Sequence, residues 1–221
     1  MSATANDLPL GDPKDIVRNG YDLVSIAYRA EVFDRSDPLC IRYSAWLAEM
    51  LAVLPPAAAV LDLGCGNGNP ASRLLHDAGF AVTGVDISPV QISRARAAMP
   101  GVSFICADMS DLAFSPRTFS AVVCFYALIH VPLDEQPAIL ASIYQWLQPG
   151  GYLIATVGAE AWTGVEDDWL GVPGGLMYWS QADTATYLTW CANIGFRLCW
   201  SDFIPEGGGG HTLLLVRKPV E

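Results

Sequence analysis

Cationic side chains are scarce in this sequence. Only 12 of 221 residues are Lys or Arg, against 23 Asp or Glu, and none of the cations cluster. Nucleic-acid backbones are held by grouped cations that neutralise phosphates, so a chain of net charge −11 is not expected to bind them. No apolar run reaches the roughly 18 uninterrupted residues of a membrane span. The opening MSATANDLPLGDP has neither the basic stretch nor the apolar core of a secretory signal. A cytoplasmic protein without a membrane partner is the expectation. Paired cysteines are missing too: Cys40, Cys65, Cys106, Cys124, Cys191 and Cys199 stand apart, without CxxC or metal-ligand spacing. They read as reduced thiols, several within apolar segments, and no metal site is expected. Repeats and low-complexity tracts are lacking apart from the four glycines at 207–210.

What remains is a chain rich in core-forming residues, 52% hydrophobic and only 16% charged. Its length suits one domain with a proper core. A tail is expected over 1–12, a helical cap over 13–55, a first half of the sheet over 58–158, and a loop followed by a hairpin over 159–221. Asp12-Pro13 and Asp37-Pro38 read as helix starts, a capping side chain followed by proline at the first helical position. The first helix is expected to run on to Phe33. The second carries Leu39, Tyr43, Trp46, Leu47, Met50 and Leu51 at helical spacing.

From Ala58 short strands alternate with helices. Strands are expected at 59–63, 80–85, 102–107, 119–126 and 151–158, with helices opening at Pro70, Ser88-Pro89 and near Asp134. A helix over Gln181–Ile194 precedes two final strands, 196–203 and 211–218. This grammar predicts a doubly wound α/β fold with a mostly parallel sheet. The short connection IPEGGGG forces an antiparallel hairpin at its end.

The densest signal is VLDLGCGNGNPASRLL (60–75), a strand followed by three glycines in five residues. Glycine there costs backbone entropy, so the loop needs positive φ angles or the close approach of a ligand. A dinucleotide loop has the spacing GxGxxG. Here Gly64 and Gly66 are followed by Gly68 and then Asn69, one place early, and the carboxylate of Asp62 would oppose a pyrophosphate. A cofactor with an ammonium group and no phosphate suits the loop better.

VLDLGCGNG resembles the first motif of the class I S-adenosylmethionine-dependent methyltransferases. Three further segments agree in order: GVDISPVQI with Asp86, CADMSDL with Asp108, and WLQPGGYLI. The resemblance implies a seven-stranded Rossmann-like sheet, S-adenosylmethionine as cofactor, S-adenosylhomocysteine as product, and a small-molecule methyl acceptor. Transfer to oxygen or nitrogen is the expected chemistry. It also implies that Asp86 takes the ribose hydroxyls, that Asp108 accepts from the adenine amino group, and that Met109 lies alongside. The full cofactor set it implies is Tyr21, Tyr28, Asp62, Gly64, Cys65, Gly66, Asn69, Asp86, Ile87, Gln91, Asp108, Met109 and Phe125. YDLVSIAY resembles the family's YDxxAxxY element, with Ser25 in place of alanine. Tyr21 and Tyr28 therefore either close over the cofactor or pack on the sheet edge. A non-catalytic cofactor-binding protein and a nicotinamide-dependent oxidoreductase are the competing readings.

Methyl transfer from a sulfonium needs positioning and dryness more than acid–base help. His130, in FYALIHVP after the fourth strand, is the candidate base, with a packing role as the alternative. His76 reads as a surface residue. Trp162, Trp169, Tyr178 and Trp179 fall in a loop-rich stretch after the fifth strand and read as an acceptor wall or a hydrophobic cover. His211 reads as a hairpin residue or a further lining residue. The sequence leaves the acceptor and the oligomeric state open.

Overall fold

The computed structural model describes residues 11–29 and 33–220. Two N-terminal helices, α1 (Pro13–Tyr28) and α2 (Pro38–Val53), start as their caps dictate: Asp12 and Asp37 accept from the backbone N–H two residues on. α1 ends at Tyr28 rather than Phe33, because Arg29 turns to an extended conformation (φ −146°). Residues 30–32, and residues 1–10 of the expected tail, lie outside the described residues.

Alternation then sets in: β1 (Ala59–Leu63), α3 (Ala71–Asp77), β2 (Ala81–Asp86), α4 (Pro89–Ala98), β3 (Ser103–Cys106), β4 (Phe119–Cys124), α5 (Gln136–Trp146) and β5 (Leu147–Gly158). β6 (Trp162–Glu166) and β7 (Met177–Gln181) follow, then α6 (Thr184–Ile194), β8 (Arg197–Glu206) and β9 (Gly209–Arg217). Seven strands form one sheet in the order β3-β2-β1-β4-β5-β9-β8. All neighbours pair in parallel except β9, which runs antiparallel to both β5 and β8. The doubly wound sheet with an antiparallel last strand is as the sequence predicts.

Successive residues of β1 feed opposite faces, as the two-residue period of a strand requires. Val60 joins Leu47, Met50, Leu75 and Ile92 on one face, whereas Leu61 and Leu63 join Leu140, Ile143 and Trp146 on the other. Fully burying one such side chain is worth about 1.5–3 kcal/mol, so the two layers together hold the sheet.

The segment expected as a loop differs. β6 and β7 pair as a separate two-stranded hairpin, in register from Trp162 opposite Gln181 to Glu166 opposite Met177. Glycines and a proline between them mask the strands in the sequence. α6 consequently starts at Thr184, capped by Asp183 accepting from the Thr186 N–H, and not at Gln181. The hairpin packs on α1 in a third apolar cluster of Ile16, Val17, Val24, Trp169, Met177 and Tyr178. α1 approaches closely because Gly20 lacks a side chain: a Cβ there would lie 2.2 Å from the Leu176 carbonyl oxygen.

Candidate functional site

The parallel strands point their carboxyl ends at one edge, where open α/β sheets bind ligands. The glycine loop leaves β1 there. Gly64, Gly66 and Gly68 all have positive φ, and the Gly64 and Cys65 N–H groups both donate to the Val85 carbonyl at the end of β2. This turn folds the loop back under the sheet edge. Gly66 has φ +55° and no atom within 4 Å of where a Cβ would stand, so a side chain there would project into open space.

That space is a concave, mostly apolar pocket with a few convergent polar groups, the usual form of a ligand site. It is floored by Gly64, Gly66, Asp86, Ile87, Asp108 and Met109, and covered by Lys14, Val17, Tyr21 and Tyr28 of α1. Tyr126, Ala127, His130 and Val131 close its far end. A second, smaller pocket shares Tyr28, Gly64 and Gly66 with the first and is lined by Arg29, Tyr43, Asp62, Cys65, Asn69 and Phe125 as well. Asp86 accepts from the Gly66 and Ser88 N–H groups, one on each oxygen, both at 2.8 Å. Each oxygen keeps accepting capacity. Ser88 caps α4 itself, so Asp86 is not spent on the cap. Burial pushes the Asp86 carboxyl up to about 6 against these hydrogen bonds.

Asp62 lies deeper than the sequence suggests. It is 2% exposed and accepts from the Ser72 hydroxyl at 2.5 Å. Burial pushes its carboxyl up to about 7. Asp108 is already engaged: one oxygen accepts from the N–H and hydroxyl of Ser110, and the other pairs with Lys14 at 2.9 Å. Burial opposes ionisation there, but these bonds hold its carboxyl below the ordinary range. Lys14 also pairs with Glu135 at 2.6 Å, so it ties α1 to the end of β3 and to the start of α5.

His130 is not a base poised near neutrality. It is 4% exposed. Its Nδ1 donates to the Tyr178 carbonyl at 2.7 Å, which leaves Nε2 to accept from the Tyr21 hydroxyl at 3.0 Å. Burial lowers its pKa to about 4. The neutral ring holds Tyr21 over the cavity and joins α1 to β7. Tyr21 and Tyr28 meet edge to face at 5.1 Å, and Trp169 packs on both. The two alternatives for these tyrosines therefore merge: they line the cavity and pack together.

Several expected residues lie elsewhere. Gln91 is fully buried between α1 and α4, where its Oε1 accepts from Ser25, and it lines neither cavity. Trp169 and Tyr178 are core residues of the hairpin cluster rather than an acceptor wall. Trp162 is half exposed at 49%, with Trp179 beside it at 6.4 Å. His211 lines neither cavity but stacks on Trp179. His76 is exposed, as expected. Lys14, Arg29, Tyr43, Tyr126 and Glu206 carry no motif and are recognised only from the fold.

Comparison with known proteins agrees with this geometry. Residues 60–151 match a family model described as a methyltransferase domain. Sterol methyltransferase-like 2 of Botryococcus braunii is 29% identical over 166 residues, 67% of this chain and 41% of its own length. The 2-methyl-6-phytyl-1,4-hydroquinone methyltransferase of Synechocystis is 36% identical over 107 residues, 47% of this chain and 33% of its own. The chain thus spans less than half the length of either curated relative. Among solved structures, the magnesium protoporphyrin IX methyltransferase of Synechocystis with bound SAH superposes with a TM-score of 0.70 at 20% identity. That match covers 94% of this chain and all of the other. The 3-2-1-4-5 sheet core and the glycine loop agree with that match: residues 60–151 resemble a methyltransferase domain, and the whole sheet shares the fold of solved methyltransferases.

Proposed function

We propose that this protein is an S-adenosylmethionine-dependent methyltransferase acting on oxygen or nitrogen of a small organic molecule. The observation that carries the reading is the pair of joined cavities at the carboxyl edge, with an acid for each polar part of the cofactor. Asp86 would accept from the ribose hydroxyls. Asp108 and Met109 would flank the adenine, with Asp108 accepting through capacity not used by Ser110 and Lys14. The second cavity offers Asp62 for an ammonium group and Arg29 for a carboxylate, the two charges of an amino-acid end. Arg29 already lies over the Tyr28 ring at 4.0 Å, which keeps the cation beside this cavity.

When bound, the cofactor supplies an activated methyl on a sulfonium. The protein's share is positioning and exclusion of water. Tyr21, Tyr28 and Trp169 form an apolar cover, and Ala127, His130 and Val131 bound the end of the cavity where an acceptor would enter. No helix among the described residues is long and apolar enough to cross a membrane. With the acidic net charge, this supports a cytoplasmic enzyme that takes a free small molecule and no nucleic acid.

Calorimetry with S-adenosylhomocysteine tests the assignment. A carboxylate hydrogen-bonded to ribose is worth about 1.5–3 kcal/mol, so Asp86→Ala should bind roughly 10- to 150-fold more weakly. Parent-like affinity in the variant removes Asp86 from the site. Tighter binding of NAD than of S-adenosylmethionine overturns the reading. Binding without release of S-adenosylhomocysteine on a panel of small metabolites would leave a sensor or a partner subunit instead.

A further inference from the structure

β9 runs against the parallel strands, so its residue His211 pairs with Gly158 at the carboxyl end of β5. His211 thereby reaches the ligand edge of the sheet from the far side of β4. Its Nδ1 lies 2.9 Å from Oε2 of Glu206, while the Tyr126 hydroxyl donates to the other carboxylate oxygen at 2.6 Å. Burial disfavours the charged form of Glu206, but these hydrogen bonds hold its carboxyl below the ordinary range. An ionised carboxylate only accepts, so Nδ1 is the donor to Glu206. Nε2 makes no hydrogen bond among the described residues. This is the reverse of His130, both of whose nitrogens are taken.

The surroundings are aromatic. Trp179 stacks on His211 with 6.4 Å between ring centres, and Tyr126 meets it edge to face at 5.3 Å. Each of these rings leads to the main cavity. Tyr126 lines it directly, and Trp179 packs at 4.3 Å on His130, which also lines it. Tyr126 is held at φ +52°, a left-handed conformation that a bulky residue adopts only under constraint. The indole Nε1 of Trp179 is buried without a hydrogen-bond partner. A buried donor in that state costs free energy unless something accepts from it. Flat aromatic walls, one orphaned donor and one imidazole with an unpaired Nε2 thus lie one ring away from the main cavity, behind Tyr126 and His130.

We propose, building on the methyltransferase reading, that the acceptor is an aromatic compound bearing an ionisable hydroxyl, and that His211 oriented by Glu206 is its base. The O–H bond breaks with its electron pair left on oxygen. The proton moves to Nε2, and the resulting imidazolium is balanced by Glu206. Trp179 Nε1 donates to a second oxygen of the ring or to the phenolate itself. The other charged or titratable groups around the imidazole are Tyr126, His130 and, on Glu206 at 3.7 Å, Arg42 from α2.

The probe is 4-nitrophenol, titrated into the protein loaded with S-adenosylhomocysteine below the phenol's own pKa. Bound probe should show the visible band of the phenolate. His211→Gln should lose that band and bind the probe about 10- to 100-fold more weakly. Its affinity for S-adenosylhomocysteine should not change. Glu206→Gln, a second variant of nearly unchanged volume, should shift bound probe back toward the neutral phenol. A parent that binds S-adenosylhomocysteine but not the probe overturns the inference, as does an undiminished phenolate band in His211→Gln. Failure of the parent to bind S-adenosylhomocysteine strikes the methyltransferase reading itself.

Discussion

Asp62 shows how one residue's burial becomes a pH dependence of the whole site. Its carboxyl is raised to about 7 in the folded chain, chiefly by burial, from an ordinary 3.8. A carboxyl that holds its proton more tightly in the folded state stabilises the fold below the unfolded pKa. That contribution fades as pH rises from about 3.8 to about 7. The cofactor-free protein should therefore gain stability on acidification through this window relative to Asp62→Asn, as thermal melts at successive pH values can read. Binding works the other way, because an ammonium group prefers the ionised carboxylate. Affinity for S-adenosylhomocysteine should rise between pH 5.5 and pH 8 in the parent, with protons released on binding. Asp62→Asn should bind more weakly and with a flatter pH profile over that range. Equal slopes in parent and variant would take Asp62 out of contact with the charged end of the cofactor.

Among the elements, α1 and the β6–β7 hairpin act as one cover, and Gly20 is where they touch most closely. Alanine there would favour the helix by about 1 kcal/mol, yet its Cβ would meet a backbone oxygen that cannot rotate away. The expected sign is thus destabilising, by about 1–3 kcal/mol for a forced overpacking. Gly20→Ala should lower the melting temperature, speed amide exchange in α1 and the hairpin, and weaken cofactor retention. Unchanged exchange in both elements would show that the cover is not built on this contact. The same two elements mark what the sequence discloses. The floor of the two pockets is local, with strand, glycine loop and acid each within a few residues, so Asp62, Gly66, Asp86 and Asp108 stand out as candidates before any fold is known. The cover is non-local. Lys14 meets Glu135 across 121 positions and Tyr126 meets Glu206 across 80, and neither pairing leaves a pattern in the chain. The hairpin escaped for a different reason, since the segment GVPGG between its strands has the composition of a loop. His130 was found by its position, but its hydrogen bond to Tyr178 was not legible, because Tyr178 comes from that unrecognised hairpin.

For the molecule as a whole, the cavity is assembled from segments that only the complete fold brings together. α1 supplies Lys14 to Tyr28, the glycine loop Gly64 and Gly66, and the ends of β2, β3 and β4 the remainder. An unfolded chain has no such site, so a ligand of this cavity binds the folded state alone and must stabilise all of it. At a free concentration 100 times the dissociation constant, the gain is about 2.7 kcal/mol. For a chain of this size each kcal/mol moves the midpoint by roughly 2–4 °C. S-adenosylhomocysteine should therefore raise the melting temperature by about 5–11 °C, and the shift should grow with the logarithm of concentration. NAD at the same concentration should leave the midpoint nearly in place, because the loop lacks the third-glycine spacing for a pyrophosphate and Asp62 opposes one. Asp86→Ala should need about 10- to 150-fold more S-adenosylhomocysteine for the same shift. A larger shift with NAD would mean that the acids at the carboxyl edge serve another nucleotide, however well the sheet matches a methyltransferase.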